Sequence, residues 1–156
     1  MSKKNIFSTK KNILWVDDHI NNPALEPDMD ELKERNCTII GVPKAEDFLK
    51  IIRDNTYHVD CIIIDSMMPN GTKLSLNETA NATRTGLALI KILCKSVNYK
   101  EVPIIVYSVL PESEIKDYCS ENDIPLNRVT ILKKTCPSKV FANEIVNIVS
   151  NEKKKK

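Results

Sequence analysis

The sequence predicts an α/β fold in which a five-stranded, doubly wound parallel sheet carries helices on both faces. Three observations support this. Short apolar runs such as Ile13–Val16 and Cys61–Ile64 lack polar alternation, as expected of strands buried on both faces. Segments of helical spacing separate these runs, so strand and helix patterns alternate along the chain. Polar or charged residues close the strands: Asp17-Asp18 the first, Asp65 the third, Ser108 the fourth and Lys133-Lys134 the fifth.

The elements follow in order. Asn12 to Val16 is the first strand. Pro23 and Pro27 punctuate a loop before a short helix near Asp28 to Arg35, weakly amphipathic through Met29 and Leu32. Thr38 to Val42 reads as the second strand. Ala45, Phe48, Leu49 and Ile52 then take the i, i+3, i+4, i+7 spacing of a helix face. Val59 to Asp65 is the third strand. From Pro69 to Thr85 the chain is polar, with Gly71, Asn77 and Asn81, and reads as a loop. Leu89, Ile90, Leu93 and Val97 mark the third helix. Val102 to Tyr107 is the fourth strand. Ile115, Tyr118 and Cys119 give the fourth helix its stripe after Pro111. Val129 to Leu132 is the fifth strand. Pro137-Ser138 opens a last helix with Val140, Phe141, Ile145, Ile148 and Val149 on one side.

A chain of 156 residues with 42% apolar content suits one domain, read as 12–150 between a tail at 1–11 and a basic tail at 151–156. A formal charge of +2, with Lys clustered near both ends, implies no general affinity for nucleic acid. No DNA-binding element is visible, so direct DNA binding is not expected. The apolar runs are too short to span a bilayer, and the first residues do not resemble a signal peptide. Five scattered cysteines without CxxC spacing predict reduced thiols and a cytoplasmic location. Of these, Cys136 falls nearest the strand-end residues.

Ligands of an open parallel sheet bind outside the carboxyl ends of its strands. If the first and third strands are neighbours, Asp17, Asp18 and Asp65 meet there, an unfavourable grouping unless a cation joins them. A hard divalent ion, magnesium, suits such a shallow carboxylate site. The chemistry is also mutually consistent. A carboxylate can attack phosphorus to give an acyl phosphate. Magnesium and the Lys133 ammonium would balance the phosphoryl charge, and the Ser108 hydroxyl could donate to a phosphoryl oxygen.

With those residues in view, the chain resembles the receiver domain of two-component response regulators, from about Asn12 to Val149. The matching segments are Ile13-Leu14-Trp15-Val16-Asp17-Asp18, Asp65-Ser66-Met67-Met68-Pro69, Val102-Pro103-Ile104-Ile105-Val106-Tyr107-Ser108 and Ile131-Leu132-Lys133. The resemblance implies a flavodoxin-like fold with strand order 2-1-3-4-5. It implies that Asp65 is the phosphoacceptor, that Asp18 binds Mg2+ directly and Asp17 largely through water, and that the Met67 carbonyl is a further ligand. Ser108 would be the hydroxyl that moves toward the phosphoryl group and Lys133 the lysine paired with it, with Lys134 the runner-up. The donor would be a histidine kinase or a histidine phosphotransfer protein. Output would pass through the fourth helix, fifth strand and fifth helix, a face that would also serve a homodimer.

Four features depart from the family pattern. The Gly expected soon after Met68-Pro69 arrives late, in Thr85-Gly86-Leu87, implying an insertion of roughly a dozen residues within 70–85. It reads equally as a lid or partner contact and as a tolerated surface loop. The lysine is followed by Lys134 rather than Pro. The position three before Lys133, commonly an aromatic switch, is Thr130. Val109 follows Ser108 where a small residue is usual.

Rival classes fit less well. A haloacid dehalogenase-type hydrolase needs an acid two residues after its nucleophile, where this chain has Met67. A flavodoxin needs a Ser/Thr- and Gly-rich phosphate loop where this chain has Asp17-Asp18-His19. The expectation is therefore a signalling phosphoacceptor rather than a classical enzyme, with a degenerate, binding-only receiver as the alternative. His19 reads as a solvent-facing loop residue or a modulator of metal affinity, His58 as a residue without an evident partner, and Trp15 as a core residue near enough to report metal binding by its fluorescence.

Overall fold

The computed structural model describes residues 10–69, 71, 74 and 84–155, with 151–155 taken as helix backbone alone. Five strands form one sheet: β1 (Lys11–Val16), β2 (Cys37–Val42), β3 (Cys61–Ile64), β4 (Ile104–Ser108) and β5 (Val129–Lys133). Their spatial order is β2-β1-β3-β4-β5 and every pairing is parallel. Among the described residues there are five α-helices: α1 (Glu26–Glu34), α2 (Ala45–Asp54), α3 (Thr85–Leu93), α4 (Glu112–Glu121) and α5 (Ser138–Lys155). The predicted flavodoxin-like topology is the observed one.

Period-two alternation sorts the strands onto two cores. Leu14, Val16, Ile62, Ile64, Ile104 and Val106 face a core containing Phe48 of α2, Leu87 of α3 and Ile115 of α4. Ile13, Trp15, Ile63, Ile105 and Tyr107 face the other, under Leu32 of α1 and Phe141 and Ile145 of α5. On that second face Trp15, Tyr107 and Phe141 pack as an aromatic trio, with Tyr107 and Phe141 stacked at 4.4 Å between centroids. The Tyr107 hydroxyl donates to the buried carboxylate of Asp28 at 2.8 Å, tying β4 to α1.

Local chemistry sets most helix ends. Acidic residues occupy the first turns of α1, α2 and α4, where they complement the helix dipole. Asn55 closes α2 in the left-handed conformation at φ 50°, and Asn36 and Asp123 take positive φ before β2 and β5.

Several expectations need correction. The third helix stops at Leu93, and Val97 lies in a separate 3-10 turn with 79% of its surface exposed. Val140 is also exposed, because α5 buries Phe141, Ala142, Ile145 and Val149 instead. β1 begins at Lys11, inside the expected tail. At the other end α5 runs to Lys155 rather than stopping before a tail at 151, since no Gly or Pro interrupts its Glu- and Lys-containing end. Residues 1–9 of the N-terminal tail lie outside the described residues, as does most of the loop at 70–85. Within that loop Leu74 is buried in the core shared with α2 and α3, and Thr85 belongs to α3.

Candidate functional site

Sheet register assembles the site. Val16 pairs with Ile64, so Asp17 and Asp65 each stand one residue past the last paired position of neighbouring strands. Backbone bonds hold both ends in place: Asp65 N–H donates to Val16 O at 2.9 Å and Asp17 N–H to Val42 O at 3.0 Å. Both carboxylates are buried, Asp17 fully and Asp65 to within 3%. Ligand oxygens of Asp17, Asp18 and Asp65 lie within 4.8 Å of one another.

Donors accompany the carboxylates. His19 N–H donates to Asp17 Oδ1 at 2.8 Å, and Met67 N–H to Asp65 Oδ1 at 3.1 Å. The Lys134 ammonium bridges the other two oxygens, 3.0 Å from Asp17 Oδ2 and 3.1 Å from Asp65 Oδ2. This overturns the preference for Lys133, which is exposed at the end of β5. Strand alternation explains the choice. Leu132 faces the same core as Trp15 and Ile63, so two residues on, Lys134 returns to the side that carries Asp17 and Asp65. Lys133 pairs in register with Ser108 and shares the opposite side. With Lys134 as the partner, the position three before it becomes Ile131, partly buried and still not aromatic.

The electrostatics follow from crowding. Burial first, then the neighbouring Asp17 charge, push the Asp65 carboxyl up to about 6, against the opposing pull of Lys134 and of the Met67 N–H. For Lys134, burial disfavours the ammonium, but Asp65 and Asp17 outweigh it and raise its pKa. The Lys134 ammonium thus pairs with two of the three clustered carboxylates, Asp17 and Asp65. Asp18 Oδ1 is buried with no hydrogen-bond partner. An orphaned carboxylate oxygen beside two others is the donor set a hard divalent cation takes, so these residues fit magnesium.

Ser108 is buried at the end of β4. Its Oγ accepts the Leu110 N–H at 3.0 Å and shares a hydrogen bond with Ser66 Oγ. Ser66, adjacent to Asp65 and fully buried, was not singled out by the sequence. Gly86 at the start of α3 donates its N–H to Ser66 O at 3.0 Å. A Cβ at Gly86 would stand 1.9 Å from Asp65 O and 2.8 Å from Ser66 Cα, so only glycine lets α3 approach the site backbone this closely.

At the rim, Val109 is 63% exposed and Met67 is also exposed. His19 reaches Asp18 at 3.7 Å from an exposed position, and His58 pairs with Asp60 at 3.5 Å. The five cysteines are free, with Cys136 half-buried against the α1/α5 core. Among the described residues no helix is long and apolar enough to cross a membrane.

Comparison with known proteins bears on this geometry. No family model and no curated protein matches the sequence. Solved structures do. A CheY-like response regulator receiver domain protein from Methanospirillum hungatei superposes with a TM-score of 0.66 at 14% identity, covering 95% of this chain and 100% of its own. A putative response regulator from Chloroflexus aurantiacus gives 0.67 at 19% identity, over 91% and 99%. The isolated REC domain of RcsB from Salmonella enterica serovar Typhimurium, solved with the phosphomimetic BeF3-, gives 0.63 at 18%, over 88% and 87%. The chain therefore has the receiver-domain fold over nearly its whole length.

Proposed function

We propose that the protein is a phosphoacceptor receiver of a two-component phosphorelay, with Asp65 as the acceptor. The observation that carries this reading is the pairing of Asp65 and Asp17 at adjacent strand ends through one Lys134 ammonium, with a partnerless Asp18 oxygen beside them. Asp17, Asp18 and Asp65, with the Met67 carbonyl, would hold Mg2+. When bound, that ion supplies positive charge against the carboxylates and the phosphoryl oxygens.

The chain's own residues do the rest. Even without the ion, a carboxyl raised only to about 6 is mostly ionised at pH 7, the form that can attack phosphorus. An Asp65 carboxylate oxygen forms the new bond to phosphorus. The bond from phosphorus to the donor's histidine nitrogen breaks, and the imidazole leaves with its electron pair. The Lys134 ammonium, held charged by its carboxylate neighbours, pairs with the phosphoryl oxygens, and Ser108 donates its hydroxyl proton to one of them. The donor is a histidine kinase or histidine phosphotransfer protein. Output is a population shift read by a partner on α4, β5 and α5.

Calorimetric titration with beryllofluoride tests this reading. Binding that requires Mg2+ and is lost in Asp65→Asn supports it. Folded wild type that binds no beryllofluoride in Mg2+ would favour the binding-only alternative.

A further inference from the structure

We infer that Ser66 is a positioning residue that latches the Ser108 hydroxyl away from the phosphoryl site, an inference that rests on the receiver reading above. The pairing of β3 with β4 matches Ile62 to Ile104 and Ile64 to Val106. Extended by two residues, the same register sets Ser66 beside Ser108, on the face opposite Asp65 and Lys134. Both side chains are at most 1% exposed, and their hydroxyls share a hydrogen bond. The Leu110 N–H holds Ser108 Oγ from a second direction.

Two consequences share one sign. Ser108 stands on the face opposite Asp65, so reaching a phosphoryl oxygen requires its Oγ to rotate away from Ser66, and that bond is lost on switching whichever hydroxyl donates it. The Ser66 hydroxyl is then left buried without its partner, which itself carries a cost. Both effects favour the unswitched arrangement and oppose phosphoryl capture. The backbone leaves Ser66 little freedom to follow, because Gly86 N–H is bonded to its carbonyl and α3 packs directly on its Cα.

A double-mutant cycle read by beryllofluoride affinity in Mg2+ tests the latch. Ser66→Ala should tighten binding about fivefold, the size of one neutral hydrogen bond. In a Ser108→Ala background the same substitution should change nothing, whereas a packing role would shift both backgrounds alike. Ser66→Cys, which keeps the volume and weakens the donor, should move affinity in the same direction if Ser66→Ala does not fold. Unchanged affinity in folded Ser66 variants, or equal shifts in both backgrounds, would overturn the latch alone. Wild type that binds no beryllofluoride would overturn the receiver reading, and the latch with it.

Discussion

The Lys134 ammonium lies 3.1 Å from Asp65 Oδ2, while Lys133 pairs with Ser108 in register and faces solvent. The two lysines are therefore not interchangeable. Lys134→Ala should slow phosphoryl uptake from a small acyl phosphate by about tenfold or more, as expected for loss of a charge-assisted hydrogen bond of about 1.5–3 kcal/mol. Lys133→Ala should stay within about twofold of wild type on the same physical ground, its charge being solvated. Single-turnover uptake rates for the two variants check this, and a reversed order would refute the assignment.

Asp65 makes metal-free stability depend on pH. Its folded-state pKa of about 6 lies above its ordinary value of 3.8, so the folded protein holds the proton more tightly than the unfolded chain. That contribution is fully present below about 3.8 and is lost as pH rises through about 6. Lys134, raised from 10.5, loses its own contribution only in alkali and leaves this window to Asp65. In chelator, the melting temperature of wild type relative to Asp65→Asn should therefore fall between about pH 4 and 6. A difference between the two that rises across the same range would contradict the crowding described here.

Gly86 tests the approach of α3. A methyl group there meets backbone rather than a yielding side chain, so Gly86→Ala should destabilise by about 3 kcal/mol, the upper end of ordinary overpacking. Because Asp65 O is the nearest atom, beryllofluoride binding should weaken even in the folded fraction. Denaturant melts with a parallel titration separate the two effects. A neutral substitution would show that the backbone yields more readily than its packing implies.

The fold was legible because apolar runs and their polar terminators alternate with helical stripes, and buried parallel strands leave few other readings. The acids were legible for the same reason, since register alone brings Asp17 beside Asp65. The resemblance alone pointed to Lys133, whereas strand parity decides between the two lysines. Leu132 faces Trp15's core, and that alternation selects Lys134. Ser66 and the Tyr107–Asp28 hydrogen bond join residues 42 and 79 positions apart, and serine, tyrosine and aspartate side chains carry no periodic signal of their own. Val97 and Val140 were placed on helix stripes by hydropathy alone, but the first lies past the end of α3 and the second on the outer side of α5.

Intact-protein mass spectrometry after incubation with Mg2+ and a small acyl-phosphate donor tests phosphorylation of Asp65 most directly. The predicted result is a gain of one phosphoryl group, absent in chelator and absent in folded Asp65→Asn. An equal gain in Asp65→Asn, or none in wild type under conditions that label a control receiver, would contradict it.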